Sequence, residues 1–293
     1  SKQTRIETDL SSDLFTIEPG APKMKLVVRG SPASMSATLY AKYGDLELVA
    51  GKPDPREHFS IPEPGDLMRY SIRNPAREEK ALGTLKPTGF AGERGDQLAS
   101  IVGNRLVLNF LGTRLPSLRR RGWLVELEGR ISPYMDSITF ATPVVHVADS
   151  KDGQWFDIGF EFETSDGIKI SQADIQLALR KGDSFLENNG KNYLIDADAV
   201  NSMQNIFSDC ASEDSNIPGH FRLANIYAPF AKSALESLDG VDVEDTPSWR
   251  SRAGQYNRTV EIEPVQLGEP LADILRPYQK YGVSWLRFME ANG

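Results

Sequence analysis

Trp155-Phe156-Asp157-Ile158-Gly159-Phe160-Glu161-Phe162-Glu163 is the stretch on which the fold turns. Its apolar side chains, Phe156, Ile158, Phe160 and Phe162, fall on every second residue, with Asp157, Glu161 and Glu163 between them. A period of two places the apolar set on one face and the carboxylates on the other, so the segment predicts a half-buried β-strand. Ser165-Asp166-Gly167 then turns the chain, and Ile168-Lys169-Ile170 reads as a short strand. Ser171-x-x-Asp174 has the spacing of a capping box, with Asp in the usual Glu position. The helix it opens carries Ile175, Leu177 and Ala178 and ends near Lys181-Gly182. Asn189-Gly190, flanked by Phe185-Leu186 and Tyr193-Leu194-Ile195, signals a hairpin. Asp196 is placed to cap a helix whose apolar stripe is Val200, Met203, Ile206 and Phe207.

Upstream, Met24–Val28 alternates, and Met35, Ala37, Leu39, Ala41 and Tyr43 line one face opposite Ser36, Thr38, Tyr40 and Lys42. Gly44-Asp45 turns that strand into Leu46–Val49, which predicts antiparallel sheet. The proline- and charge-rich 51–65 stretch reads as an exposed loop. Asn74-Pro75 predicts a helix start, Asn as cap and Pro in the first turn, with Ala81, Leu82 and Leu85 buried. Leu98–Val102 reads as a short strand, followed by a helix capped by Asn104 with Leu106, Val107, Phe110 and Leu111 inside. A second helical piece, 115–122, ends in Arg119-Arg120-Arg121-Gly122, and Trp123–Glu128 alternates as a strand.

Downstream, 210–218 is a polar loop, 221–238 reads as a helix interrupted at Pro229, and 240–269 has the composition of a linker. The polar run Asp149-Ser150-Lys151-Asp152-Gly153 predicts a boundary, so the domains are expected at 1–149 and 150–239. Strand-then-helix units of this kind point to an α+β fold, with mixed, mainly antiparallel sheets and packed helices, rather than to a doubly wound parallel sheet.

Composition narrows the function classes. Lys and Arg number 33 against 41 Asp and Glu, a net charge of −8, so any nucleic-acid contact is expected to be focal. No apolar run approaches a membrane span, and one cysteine, Cys210, excludes an intrachain disulfide framework and fits a cytoplasmic protein. His58, His146 and His220 stand apart from one another, with no cysteine or carboxylate at metal-ligand spacing. Glu126 with Glu128, and Glu161 with Glu163, have the spacing of paired strand carboxylates, and alternation with apolar residues makes each pair a solvated face. The basic candidate is Arg119, Arg120 and Arg121 with Arg114 and Arg105 nearby. They could hold DNA phosphates, or simply complement a helix C-terminus.

The last 23 residues carry a different signal, Leu275-Arg276-Pro277-Tyr278-Gln279, followed by Gly282 and Trp285-Leu286. Pro277 suits a first helical turn, and Tyr278, Gly282, Trp285, Leu286 and Met289 recur at helical spacing. On pattern alone this is an amphipathic helix docked on the chain's own core, with Gly282 as a close-packing position. The residue string itself resembles the opening of the first RecA-like lobe of Swi/Snf-type helicase-like ATPases. A weaker resemblance, through Gly122-Trp123, Trp155–Ile158, Lys181-Gly182, Asn189-Gly190 and Tyr193–Asp196, is to the helicase-associated region of the bacterial HepA/RapA-like branch. Together they cover roughly residues 90–293, and residues 1–90 join only by position.

The resemblance implies that 150–239 is a helicase-associated domain, 240–269 a linker and 270–293 the start of an ATPase lobe cut before its phosphate loop. It implies a parent that hydrolyses ATP with Mg²⁺ and translocates on double-stranded DNA, with its own ATPase lobes as partners and RNA polymerase by analogy to RapA-like relatives. Gln279, with Arg276 and Tyr278 beside it, would face the adenine of ATP once the lobe is complete. No G-x-x-x-x-G-K-[ST] occurs, so these 293 residues alone are expected to be inactive. A stand-alone protein- or DNA-binding module without a motor is the alternative.

Overall fold

A computed structural model of the chain describes residues 16–57, 59–63, 66–151, 153–210, 220–238, 241–254 and 264–292. The chain divides into two compact units, Ser1–Ile138 and Thr139–Gly293. The fold is α+β, with mixed, mainly antiparallel sheets and helices packed on them. His58, residues 211–219 and the side chains of Cys210, Tyr278 and Met289 lie outside the described residues.

The first unit runs β1 (Thr16–Pro19), β2 (Lys23–Ser31), β3 (Ser34–Tyr43), β4 (Leu46–Val49), β5 (Ile61–Glu63), β6 (Asp66–Ile72) and α1 (Pro75–Leu85). After these come β7 (Ile101–Val102), α2 (Asn104–Asn109), α3 (Leu115–Arg120), β8 (Leu124–Gly129) and α4 (Ile131–Ser137). β2 and β3 form an antiparallel ladder, β4 returns on β3 as the Gly44-Asp45 turn predicts, and β8 lies parallel to β2. The sheet order is β4-β3-β2-β8, with β7 also on β3. A separate three-stranded sheet has the order β1-β6-β5. The predicted alternation in β3 holds, with Met35, Leu39, Ala41 and Tyr43 buried and Ser36 exposed. Asn74 caps α1 by accepting the Arg77 N–H at 3.2 Å, with Pro75 in the first turn.

The two helical pieces expected between 104 and 122 are joined. A π-helical turn, Phe110–Arg114, links α2 to α3 without a break. Gly103, not Asn104, takes the cap position, and Leu106 is exposed while Val107, Leu108, Leu111, Leu115 and Leu118 are buried. Leu106 lies one residue, about 100° of helix, outside that inward stripe.

The second unit is built on β9 (Thr139–Asp149) and β10 (Trp155–Thr164), paired antiparallel from Ala141↔Thr164 to Asp149↔Phe156. The 149–153 stretch, read from sequence as a boundary, joins these two strands, and the units divide before β9. Next come β11 (Lys169–Ile170), α5 (Gln172–Arg180), β12 (Phe185–Asn188), β13 (Lys191–Leu194) and α6 (Ala197–Cys210). They lead to β14 (His220–Ala224), α7 (Ala228–Glu236), β15 (Asp242–Glu244), α8 (Pro247–Gly254), α9 (Leu271–Ile274) and α10 (Pro277–Asn292). The sheet order is β11-β10-β9-β13-β12, with β14 also on β10 and β15 on β9. Asn189 (φ 52°) and Gly190 (φ 74°) both take left-handed backbone, the two-residue hairpin geometry that Asn-Gly favours. Ser171 Oγ accepts the Asp174 N–H at 3.1 Å and donates to its carboxylate at 2.6 Å, closing the predicted cap.

Two stretches differ from the sequence reading. The 221–238 region is not one interrupted helix: residues 220–224 pair with β10 as β14, and α7 begins at Ala228. Pro229 therefore sits in a first turn, where its missing N–H costs nothing, rather than breaking a helix. Within the 240–269 stretch, β15 pairs in parallel with β9, and α8 inserts Trp249 and Ala253 into the core. Trp249 stands edge-on to Phe156, their centroids 4.9 Å apart at 85°. That core otherwise holds Phe156, Ile158, Phe160 and Phe162 against Val200, Met203 and Phe207 of α6 and Ala231 and Leu235 of α7.

Truncating Trp249 removes the largest fully buried side chain of this unit. Trp249→Ala is expected to cost about 3–5 kcal/mol of stability and Trp249→Phe distinctly less, measured by urea unfolding.

Candidate functional site

The arginines singled out from sequence all end on solvent. Arg114 closes the π-turn, Arg119 and Arg120 end α3, Arg121 is its C-cap, and all four are exposed. Gly122, at φ +79°, finishes the helix, its N–H reaching the Arg119 carbonyl at 2.9 Å while the Trp123 N–H reaches Leu118 at 3.1 Å. This paired closure satisfies carbonyls that the helix leaves open and sets the cations at the negative end of its dipole. Arg114, Arg119 and Arg121 form no ion pair with another described residue, whereas Arg105 and Arg120 do have partners. Consecutive helical residues diverge by about 100°, so Arg119, Arg120 and Arg121 fan over roughly 200° and cannot all meet one phosphate strand. Arg114 and Arg121, about two turns and 10 Å apart, share a side and form the better row.

The second set lies in the other unit, at the start of α10. Arg276 and Gln279 come together there, the Arg276 N–H donating to Gln279 Oε1 at 3.0 Å. Lys280 N–H closes on the Arg276 carbonyl at 3.0 Å. This is the back-reaching half of a capping box, so Gln279 has a helix-start role with no nucleotide present. Tyr278 shares the turn, but its side chain is outside the described residues.

Part of α10's apolar stripe departs from the docked-helix expectation. Among its described side chains, Leu286 is 69% exposed, Trp285 and Tyr281 are exposed as well, and Ser284 is buried. The Ser284 hydroxyl accepts the Val265 N–H and donates to the Lys280 carbonyl, both at 3.0 Å, and α10 touches α7. Gly282 is no close-packing position: a Cβ there would have nothing within 4 Å.

Sequence reasoning missed the most perturbed charge cluster, in the first unit. Glu78 is fully buried yet hydrogen bonded by the Tyr43 hydroxyl (2.8 Å), the Gly51 N–H (2.9 Å) and Arg73 through Nε (2.9 Å) and a terminal nitrogen (2.7 Å). Arg73 also reaches Glu57 and the Lys52 carbonyl, each at 2.9 Å, and Asn74 donates its N–H to the Tyr43 oxygen at 2.9 Å. Burial opposes ionisation of Glu78, but Arg73, Gly51 and Tyr43 outweigh it and hold the carboxyl below its usual range. Burial is also what mainly pushes the Tyr43 phenol upward. No acceptor position is left for a substrate proton, so the cluster locks α1 and its preceding turn to the sheet. Glu78 is the fourth residue of α1, three and four residues ahead of Ala81 and Leu82, so it lies in phase with the expected inward stripe, and that spacing was the only sequence clue.

The paired carboxylates are also accounted for. Glu126 meets Lys25 at 3.2 Å and Glu128 pairs with Arg29, a cross-strand ladder on the solvent side of β2 and β8. Glu161 is held by Lys169 at 2.9 Å, and His146 Nδ1 lies 2.9 Å from Glu244. Among the described residues, no group of three His, Cys, Asp or Glu could hold a metal ion, and no helix is long and apolar enough to cross a membrane. No protein-family model matches this sequence, and no curated protein shows significant similarity to it.

Glu78→Gln leaves the Arg73 guanidinium without its buried counter-charge and is expected to cost about 3–5 kcal/mol in urea unfolding. The lowered folded-state value means this contribution is present above the ordinary pKa of 4.5 and is lost as pH falls through the folded one. Acid unfolding of the variant should therefore be shallower below pH 4.5 than that of the unaltered chain.

Proposed function

We propose that this chain is the accessory region of a bacterial Swi/Snf-type, DNA-dependent ATPase, packing on or modulating a motor that α10 opens. One observation carries the reading. The Leu275–Gln279 run sits where Pro277 starts a long helix, with Gln279 at its first turn and Trp285 and Leu286 turned away from the unit's own core. Exposed Trp285 and Leu286 support an opening motor helix over one docked wholly on its own core.

The residues present do not fit ATP by themselves. Gln279 and Arg276 are exposed, Gln279 Oε1 is engaged in the helix cap, and no phosphate loop occurs in the sequence. One or two adenine hydrogen bonds of about 1 kcal/mol each would not retain a nucleotide. ATP and Mg²⁺ belong to the proposed motor. Double-stranded DNA is the proposed nucleic-acid partner, with the Arg114–Arg121 row as its contact here. RNA polymerase rests on analogy to RapA-like relatives alone, and a cytoplasmic site on the single cysteine. The exposed row equally supports the second reading, a DNA- or protein-binding module with no motor.

The chain should be assayed in continuity with whatever follows it in its reading frame, with and without residues 1–265. A DNA-stimulated ATPase that changes about tenfold on truncation, or 1.4 kcal/mol of barrier, makes this region a regulator. No ATPase in the extended protein sinks the motor reading. Replacing Arg114, Arg119 and Arg121 by Ala should lower DNA affinity and flatten its salt dependence by one to two units of log–log slope. Unchanged salt dependence removes the row from the DNA contact.

A further inference from the structure

Among the described residues, a cleft of about 440 Å³ that the proposed function does not use lies in the second unit between α5 and the strand β12. β12 is, among the described residues, the last strand of its sheet, paired with β13 on one side only. Its two backbone edges can be told apart. Asn188 and Lys191 flank the two-residue Asn189-Gly190 turn, so they form a hydrogen-bonded pair, and that pairing recurs at every second residue. The Ile195 N–H reaching the Ser184 carbonyl at 2.8 Å continues the series. Ser184, Leu186 and Asn188 therefore direct their backbone groups to β13, while Phe185 and Glu187 direct theirs to the open edge. Opposite that edge, α5 presents Leu177, 51% exposed, beside Asp174 and Ala178.

An open strand edge facing a helix asks for a particular chemistry. Only another extended backbone satisfies alternating N–H and C=O groups in register, and the flanking helix then receives alternate side chains. Asp174, Asp183, Lys169 and Lys181 also line the cleft, but Asp174 is held by the Ser171 hydroxyl at 2.6 Å, Lys169 by Glu161, and Asp183 and Lys181 have partners of their own. Glu187 is exposed on the edge strand itself. An incoming strand with a cation across from Glu187 gains a cross-strand pair. A second copy of the chain is the poorer occupant. Four residues of edge span about 13 Å, far short of what the roughly 1,200 Å² of a stable interface needs.

We infer that the β12–α5 cleft is a docking site for an extended peptide segment that alternates apolar and basic residues. The segment adds as a strand to β12 through the backbone of Phe185 and Glu187, sets an apolar side chain on Leu177, and places a cation opposite Glu187. This inference does not rest on the motor reading and stands or falls separately from it.

The probe is an N-acetylated, C-amidated hexapeptide alternating Lys and Val, titrated onto the full chain at low salt. Amide hydrogen exchange reads the geometry directly. In the free chain the Leu186 and Asn188 amides should be protected and those of Phe185 and Glu187 fast, and the probe should protect the latter two. Glu187→Pro removes an outward N–H while leaving the β12–β13 bonds in place, and should weaken binding at least tenfold. Glu187→Gln keeps the backbone and should weaken it less, with reduced salt dependence. Methylating alternate backbone nitrogens of the probe should abolish binding with its side chains unchanged. Equal binding by the methylated probe or by Glu187→Pro overturns the proposal, as does no binding at millimolar probe. Protection of Phe185 and Glu187 that rises with protein concentration alone, without probe, overturns it in favour of self-association.

Discussion

Everything in the second unit hangs on one face of one strand. Phe156, Ile158, Phe160 and Phe162 stand on the same side of β10, and water must be kept from all four at once. β9 covers one edge of that strand, while β14 and β11 share the other. The face itself is roofed by α6, α7 and α8, which reach it from different parts of the sequence. Phe160, Phe207 and Phe221 stack with centroid separations between 5.5 and 6.4 Å, so the roof and the sheet interlock rather than merely touch. The opposite face, with Asp157, Glu161 and Glu163, is left to solvent and to pairings with Arg222 and Lys169.

The first unit relies on a different constraint. Its sheet is apolar on one side in the ordinary way, but the turn into α1 is held by a buried charge. Glu78 is tolerable inside only because three residues donate to it, Tyr43 from β3, Gly51 from the turn after β4 and Arg73 from the segment between β6 and α1. A carboxylate in that position ties the start of α1 to β3 and to the turn after β4. The cost of leaving any one donor out makes the arrangement specific.

Charge at the surface is arranged in two ways. On the β2–β8 face it is cancelled pair by pair, which explains why acidic residues at strand spacing form no reactive pair. On the helix that ends at Arg121 it is left uncancelled at Arg114, Arg119 and Arg121, in a chain whose total charge is −8. Uncompensated cations on an acidic protein are the feature that motivates the proposed nucleic-acid contact. The β12 edge presents the complementary case, a backbone rather than a charge left unpaired.

Local chemistry was legible in the sequence wherever neighbours along the chain decide the outcome. The alternation of β10, the Asn74, Ser171 and Asp196 caps, the Asn189-Gly190 turn and the glycine end of α3 all follow from period, φ preference or a side chain reaching its own backbone. The start of α10 at Pro277 belongs with them. Tertiary structure decided what depends on distant partners. Residues 220–224 are a strand because β10 had an open edge to fill, and Trp249 is core because Phe156 needed a cover. Glu78 is buried because Tyr43 and Gly51 arrive from elsewhere to meet it, and Ser284 of α10 is tied down by the Val265 N–H. A propensity or a cap is worth at most a kcal/mol or two and acts within a few residues. Burial of a tryptophan or pairing of a buried carboxylate is worth several, and no local pattern states where the partner will be.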